Sequence, residues 1–459
     1  MQDKKLNVLI YPMFSVDVIN ADSNYVIIKQ LCNELVKTKR FNFFLLLDSN
    51  RKYIKDDLNK LIKLIKIPLP SSKKHQVIHF NANLFRQIYS KYAFDMIWNN
   101  VVEQGHHFSY FEDVSEDAYR TKVFNYHHYV IHRSLPNKRS SYELARHILY
   151  DQIIGSLCAN KNFFHSQHCF NMLIEEAEDV LTTKQIIYLQ NKSIVKLGGY
   201  TEEIKSLPKY DKFTFIYNHR LDGYKQWKET FEIFDSLYDE GLEFQVILTA
   251  GDKANISVAS SKPYTIVKSF TLHDEYIQEL SRCHANTINS VHETFCISIA
   301  ESIMNNQVVI LPNRCTFPEL VGEDYPYLFN TLKEQRDILK ALIINNEREY
   351  KKYNKDRLSL SKHTENIDLM FNELCKPKFN NILDRMNCQT SKLKLKNLLD
   401  SCNQITLKEF RKQVYKLGYA SQSFPNLKLK LILNQSNFDY NIKLDTYIKT
   451  TKKQRENGK

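Results

Sequence analysis

Several absences narrow the field. No apolar stretch in the 459 residues approaches the ~18 needed to span a membrane, and Met1–Lys5 leads into the short apolar run Leu6–Tyr11 rather than a secretory leader. A cytoplasmic protein is therefore expected. The nine cysteines include no Cys-x-x-Cys pair, and an odd number without framework spacing reads as reduced thiols filling small core positions, with neither disulfides nor a structural zinc. No Asp-x-Asp metal motif occurs, and no internal repeat is visible. The two tryptophans, Trp98 and Trp227, both fall well before the basic end of the chain, which argues against a membrane-surface helix there, since such helices join a basic face to Trp or Phe on an apolar one.

What is present describes a large globular protein. A hydrophobic fraction of 43% can build real cores, and the length suggests two or three domains. Short apolar runs at Leu6–Tyr11, Phe41–Leu47, Phe94–Trp98, Lys122–Tyr126 and Asn162–His165 are separated by helix-like segments. The rhythm resumes at Phe213–Tyr217, Phe244–Ala250, Tyr264–Lys268, Ala285–Asn289 and Val308–Leu311, so two successive α/β domains are expected, joined near Gly198-Gly199. A helical stretch from about Leu332 to Leu374 closes the second, and Pro377 punctuates its end. The expected division is 1–197, 198–376 and 381–459.

The net charge of +12 is unevenly placed: residues 381–459 hold 16 of the 64 Lys and Arg but only 6 of the 52 Asp and Glu. A polyanion partner is one reading of such a segment and a solvated lysine-rich face the other. Helices are expected at Lys392–Cys402, at Leu407–Leu417 behind a Thr406/Glu409 capping box, and at about Phe424–Asn434, followed by a hairpin over Phe438–Lys449. This is the outline of a winged helix, with a packed helical extension as the alternative; Lys428 and Lys430 of the third helix are its candidate DNA contacts.

The chemistry gathers in the second α/β domain. Glu293 and Glu301 stand eight apart in His292-Glu-Thr-Phe-Cys-Ile-Ser-Ile-Ala-Glu301, and on a helix that step of a little over two turns would bring both carboxylates to nearly one side, where they can grip hydroxyls. Seventy residues earlier, Arg220 and Lys225 follow an expected strand and can meet developing phosphate charge. Taken singly, the two glutamates are more simply a solvated face; with Arg220, Lys225 and Glu319 in register the site reading prevails.

Residues 210–330 resemble the nucleotide-binding half of retaining glycosyltransferases of the GT-B fold, glycosyltransferase family 4 in particular, through Arg220-Leu-Asp-Gly-Tyr-Lys225, the Glu293/Glu301 spacing and Phe317-Pro-Glu-Leu320. A narrower likeness to the queuosine-tRNA mannosyltransferase group rests on Tyr217-Asn-His-Arg220, Gly241-Leu-Glu-Phe244, His292-Glu293 and Phe317-Pro-Glu319, with Lys122-Val-Phe-Asn-Tyr-His127 and Phe163-Phe-His-Ser166 in the first domain. The resemblance implies two Rossmann-like domains facing a cleft. A UDP- or GDP-sugar is the implied donor, with no separate cofactor and no metal. Arg220, Lys225, Glu293, Thr294, Phe295, Glu301 and Glu319 are its implied site: Glu293 on the sugar, Glu301 on the ribose, and the amides after Glu293 on the phosphates. His127, with Glu293, is the implied catalytic residue, and Ser166 caps a helix. In a retaining transfer the acceptor hydroxyl attacks from the face that the leaving phosphate occupies, and that phosphate takes the proton. Two departures stand out. The loop Pro12–Ser23 lacks the usual glycines, and Cys296 stands where a glycine is usual and narrows the sugar pocket.

For the acceptor, Arg133, Lys138, Arg139 and Arg146 form a basic rim suited to a phosphate backbone, and His106, His107, Phe108, Tyr110 and Phe111 can stack on an extruded base or belong to the core. His128 and His132, four apart, lack a third metal ligand. The leading expectation is sugar transfer to a hydroxymethylated pyrimidine, such as hydroxymethylcytosine, in DNA. A bacteriophage source, with the protein in the host cytoplasm, matches the enrichment in Lys, Asn and Ile. Transfer to tRNA is a variant of this expectation. Transfer to a lipid-linked or saccharide acceptor is the alternative, and a non-catalytic nucleic-acid-binding protein is the third reading.

Overall fold

The chain forms two compact units, Met1–Leu374 and Cys375–Lys459. The computed structural model describes residues 5–13, 22–49, 60, 62–68, 81–92, 94–108, 121–133, 139–200, 207–249, 253–270, 273–375, 397–416, 433, 438–441 and 446–449.

The first unit holds two parallel sheets. Strands β1 (Leu6–Tyr11), β2 (Phe41–Asp48), β3 (Lys63–Ile67), β4 (Met96–Asn99), β5 (Lys122–His127), β6 (Lys161–Phe164) and β7 (Ser193–Val195) run in the order β3-β2-β1-β4-β5-β6-β7. Strands β8 (Thr214–Tyr217), β9 (Gln245–Thr249), β10 (Thr265–Lys268), β11 (Ala285–Thr287), β12 (Val308–Pro312) and β13 (Leu328–Phe329) follow in the order β10-β9-β8-β11-β12-β13. Central strands such as Phe-Asn-Phe-Phe-Leu-Leu-Leu-Asp and Val-Val-Ile-Leu-Pro are apolar on both faces, as a parallel sheet sandwiched between helices requires. Strand order reverses between β1 and β4 in the first sheet and between β8 and β11 in the second. In open α/β sheets such a reversal opens a crevice beyond the carboxyl ends of the strands, where ligands bind.

Three strands were not among the runs expected from the sequence. β3, β7 and β13 are the edge or next-to-solvent strands, and β3 reads Lys-Leu-Ile-Lys-Ile with two lysine positions facing water. The helical stretch expected from Leu332 to Leu374 is interrupted. One helix spans Leu332–Asn345, and Asn346 ends it in the left-handed region at φ 52°. The next spans Leu360–Cys375. That last helix crosses back to the first sheet, where the Phe371 ring stands edge-on to Phe41, Trp98 and Phe124 at 5.3–5.9 Å. Arg40 pairs with Asp368, so the end of the second sheet's chain is tied to the first sheet.

In the second unit, Thr406 Oγ1 accepts from the Glu409 amide at 3.1 Å and caps the helix Leu407–Lys416. Strands β14 (Gln404–Ile405), β15 (Phe438–Asn441) and β16 (Thr446–Lys449) form an antiparallel sheet in the order β14-β16-β15, which contains the expected hairpin. The third expected helix, with Lys428 and Lys430, lies outside the described residues apart from Leu433.

Candidate active site

Lys225 and Glu293 meet at the reversal of the second sheet. β8 ends at Tyr217, and the chain runs through Asn218-His219-Arg220 into a single 3-10 turn, Gly223–Lys225, after which Gln226 takes the left-handed region at φ 47°. The turn delivers the Lys225 ammonium onto the carboxylate of Glu293, which lies on the loop after β11, and their side chains are only 9% and 10% exposed. Burial opposes the charged ammonium, but the Glu293 carboxylate outweighs it and holds the Lys225 pKa above its ordinary value. Arg314, just past β12, donates to Asn289 O at 2.8 Å, Asn289 Oδ1 at 2.6 Å and Ser290 O at 3.0 Å, fixing the same loop. Sequence reading missed this cation, although its place after a strand end matches those of Lys225 and Glu293. Cys296 and Cys315, which flank the loop, adopt φ 64° and 55°, a conformation costing a side-chain-bearing residue about 1 kcal/mol.

Glu301 does not share a helix face with Glu293. The helix begins only at Ile297, so Glu293 projects from the preceding loop toward Lys225 while Glu301 lies within the helix Ile297–Met304. Tyr276 Oη donates to Glu301 Oε2 at 2.5 Å, and Asn218 Nδ2 donates to that phenol oxygen at 2.6 Å. Asn286 Nδ2 donates to Asn218 Oδ1 and Ser302 Oγ, both at 2.8 Å. Burial, with Lys225 nearby, keeps the buried His219 ring well below the usual imidazole range and therefore neutral. Its tautomer follows from its neighbours: Asn286 Oδ1 accepts from Nε2 at 3.2 Å, leaving Nδ1 to accept from Ser298 Oγ at 2.9 Å. Every polar atom of Asn286 is thus used beneath the site, which holds the β8 and β11 ends against the helix carrying Glu301. Arg220 is largely exposed, 3.4 Å from Asp222, and bonded to the Tyr224 hydroxyl. Both cations lie over the Tyr224 ring, Arg220 at 5.8 Å and Lys225 at 5.2 Å from the ring centre.

Thr294 and Phe295 form the seam with the first sheet. Thr294 Oγ1 donates to His128 O at 2.6 Å, and Ser166 Oγ donates to Thr294 O at 2.6 Å while accepting from the Cys169 amide at 3.0 Å. Ser166 thus caps the helix Gln167–Ala177 and reaches the other domain with the same oxygen. Phe295 stacks on His165, with centroids 5.5 Å apart and planes at 15°. A Cβ on Gly198 would come within 2.9 Å of the Phe295 ring, so the linker must carry glycine there. Glu319 spans the same seam, its two oxygens accepting from the amides of Gln167 and His168 at 2.7 and 2.8 Å, a carboxylate on the positive end of a helix.

His127 sits elsewhere. It is fully buried in the first domain, stacked on Phe164 at 3.9 Å, with Nε2 3.4 Å from Ser156 Oγ and 3.5 Å from Asn162 Oδ1. Burial pushes its pKa down to about 3 despite the Asn162 bond. Successive residues of a strand point to opposite faces, so the residue after it takes the other side. His128 bears the backbone oxygen that receives Thr294, and its Nε2 lies 2.8 Å from Asn100 Oδ1 on the loop after β4.

The basic rim is weaker than its sequence suggests. Arg133 Nε lies 3.1 Å from Glu176 and Nη2 2.8 Å from Asp179, so its charge is compensated locally. Arg146 lies over Tyr150 and donates to its hydroxyl at 3.0 Å. Lys138, Tyr110 and Phe111 lie outside the described residues, as does the side chain of Arg139. Phe108 is core, packed edge-on to Tyr11 and Phe85. Among the described residues no group of His, Cys, Asp and Glu could hold a metal ion, and no helix is long and apolar enough to cross a membrane.

No family model matches the chain, and no curated protein does. Solved structures do. Sucrose-phosphate synthase from Thermosynechococcus elongatus is similar with a TM-score of 0.61 at 12% identity, over 81% of this chain and 99% of that one. HepE from Anabaena, solved with UDP and glucose, gives 0.55 at 12% identity over 80% and 100%. WaaG, a glycosyltransferase involved in lipopolysaccharide biosynthesis, gives 0.53 at 8% identity over 79% and 94%. The two parallel-sheet domains therefore have the fold of GT-B glycosyltransferases.

Proposed function

We propose that the protein is a retaining, nucleotide-sugar-dependent glycosyltransferase whose acceptor is a hydroxymethylated pyrimidine in DNA. The observation that carries the transferase reading is the buried Lys225–Glu293 pair at the strand reversal of the second sheet, with Glu301 held behind it. As the sugar leaves, negative charge grows on the nucleoside diphosphate. In this reading Lys225 and the amides opening the helix Ile297–Met304 stabilise it, with Arg220 on the exposed side. Glu293 takes sugar hydroxyls and Glu301 the ribose. On the acceptor side this reading replaces His127 with His128, whose backbone oxygen already meets the Glu293–Phe295 loop. HepE was solved with UDP-glucose, which supports a UDP-sugar as donor.

The DNA acceptor rests on the second unit: its charge balance of 16 to 6 across residues 381–459 and its capped helix beside a small antiparallel sheet suit a duplex-gripping module. An acceptor of carbohydrate type is the second reading, favoured by the description of WaaG as acting in lipopolysaccharide biosynthesis.

One experiment separates the two. Incubate the protein with a panel of nucleotide sugars and with DNA containing cytosine, hydroxymethylcytosine or hydroxymethyluracil, tRNA alongside, and digest the products for nucleoside mass spectrometry. A sugar-sized mass increment on one base supports the DNA reading. Donor hydrolysis without any modified nucleoside favours the saccharide acceptor, and no turnover of any donor removes the transferase reading. Deleting residues 381–459 should weaken DNA binding and flatten its salt dependence; unchanged affinity would remove the tail from the acceptor site.

A further inference from the structure

We propose that Glu293 makes the donor site select a nucleotide that still carries its sugar over the sugar-free nucleoside diphosphate, because a diphosphate gains the Lys225 charge only at the expense of the Lys225–Glu293 pair. The proposal rests on the reading of Lys225 as a phosphate ligand and Glu293 as a sugar ligand, and it concerns how each restrains the other.

The two segments that bear the pair are bonded to each other. The Val291 amide donates to Tyr224 O at 2.9 Å, and Ser290 Oγ donates to the same oxygen at 3.3 Å, one residue before Lys225 and a few before Glu293. Arg314 completes the clamp, since its Nη2 donates to Gln226 Oε1 at 3.2 Å as well as to Asn289 Oδ1. With the loops joined in this way, the pair parts by rotation of its side chains. Those side chains are 9% and 10% exposed, so little water can stand in for either partner, and the pair itself has no net charge. A sugar-free diphosphate that takes Lys225 sets its own negative charge beside Glu293 and leaves that carboxylate buried without its cation. Like charges so placed oppose each other with little screening. An attached sugar changes both terms: the ester linkage removes one phosphate charge, and the sugar hydroxyls donate to the carboxylate that Lys225 gives up. Selection then comes from a group that penalises the wrong ligand as well as holding the right one.

The test is calorimetric titration of wild type, Glu293→Gln and Glu293→Asp with UDP, GDP and ADP and with UDP-glucose, UDP-galactose, UDP-N-acetylglucosamine, GDP-mannose and ADP-glucose. Unfolding curves on all three proteins confirm that each is folded. Wild type should bind one sugar nucleotide about tenfold or more tighter than its sugar-free form, the usual worth of a hydrogen bond to a charged group. Glu293→Gln keeps the shape and removes the charge, so it should bind the sugar-free diphosphate about tenfold or more tighter than wild type does and lose the preference for the sugar nucleotide. Glu293→Asp, which keeps the charge, should show no such gain. A folded Glu293→Gln that binds the diphosphate no tighter than wild type overturns the proposal. So does a wild type that binds a sugar-free diphosphate as tightly as every sugar nucleotide, a result that stands even where the variants fail to fold. A wild type that binds none of these ligands overturns the donor site itself.

Discussion

The two parallel sheets of the first unit bring different chemistry to their carboxyl ends. The second ends in charge: the Lys225–Glu293 pair, Arg314, and Glu301 bonded to Tyr276. Among the described residues, the first meets the Glu293–Phe295 loop through neutral groups, namely the His128 carbonyl, the Ser166 hydroxyl and rings such as His165, whose pKa burial pushes down to about 3. A seam divided in this way keeps the charged groups of the Lys225–Glu293 loop on one scaffold, and the neutral groups that meet that loop add no charge that must be desolvated there. Glu319, also on the second sheet's side, crosses the seam and accepts from helix amides of the first domain.

The comparison breaks most visibly at its charged side. Lys225→Ala leaves Glu293 buried without a partner and should cost about 3–5 kcal/mol in urea denaturation, together with donor use. The double change Lys225→Met with Glu293→Leu should regain most of that stability and none of the activity; equal activity would show the pair to be structural only.

On the neutral side, neighbouring histidines separate fold from function. His127→Ala should cost about 2–4 kcal/mol by opening a cavity beside Phe164, with the folded fraction still active. His128→Ala, which loses the bond to Asn100, should cost less stability, about 1 kcal/mol, and lower kcat/KM by about tenfold or more. The reverse pattern would return the catalytic role to His127.

Acid should act through the same neutral side. His127 and His165 are pushed to about 3 and His363 to about 4, chiefly by burial, whereas in the unfolded chain all three take protons near 6.5. The unfolded state therefore binds more protons between those limits, so this stability is complete above pH 6.5 and lost as the pH falls toward 3–4. The loss should reach up to about 2 kcal/mol per histidine by pH 5. Denaturation midpoints at pH 7 and pH 5 measure it, and His165→Phe, which keeps a ring against Phe295, should remove one share. The smallest effect belongs to the seam: Glu319→Gln should lower stability by about 1 kcal/mol, as loss of charge at a helix N-terminus does.

Central strands announce themselves in the sequence because a strand buried on both faces must be apolar throughout, as Phe41–Leu47 and Val308–Leu311 are. Edge strands such as Lys63–Ile67 face water and lose that signal. Arg220 and Lys225 were singled out because they follow an expected strand, and Glu293 and Glu301 because they stand eight apart; Arg314 also follows a strand end and was overlooked. His127 shows the limit. A strand turns over at every residue, so placing the histidine correctly along the chain still leaves its face undecided by one position. Tyr276 had no signal at all, since its partners, Asn218 and Glu301, come from segments far apart in the chain.

The most direct test of the account is a binding titration of UDP, GDP and ADP against the wild type and Glu301→Gln, with unfolding curves run on both. The account predicts that one nucleoside diphosphate binds and that Glu301→Gln weakens it about tenfold or more with little change in stability. A folded wild type that binds none of them, or a Glu301→Gln variant that binds as tightly as wild type, would contradict it.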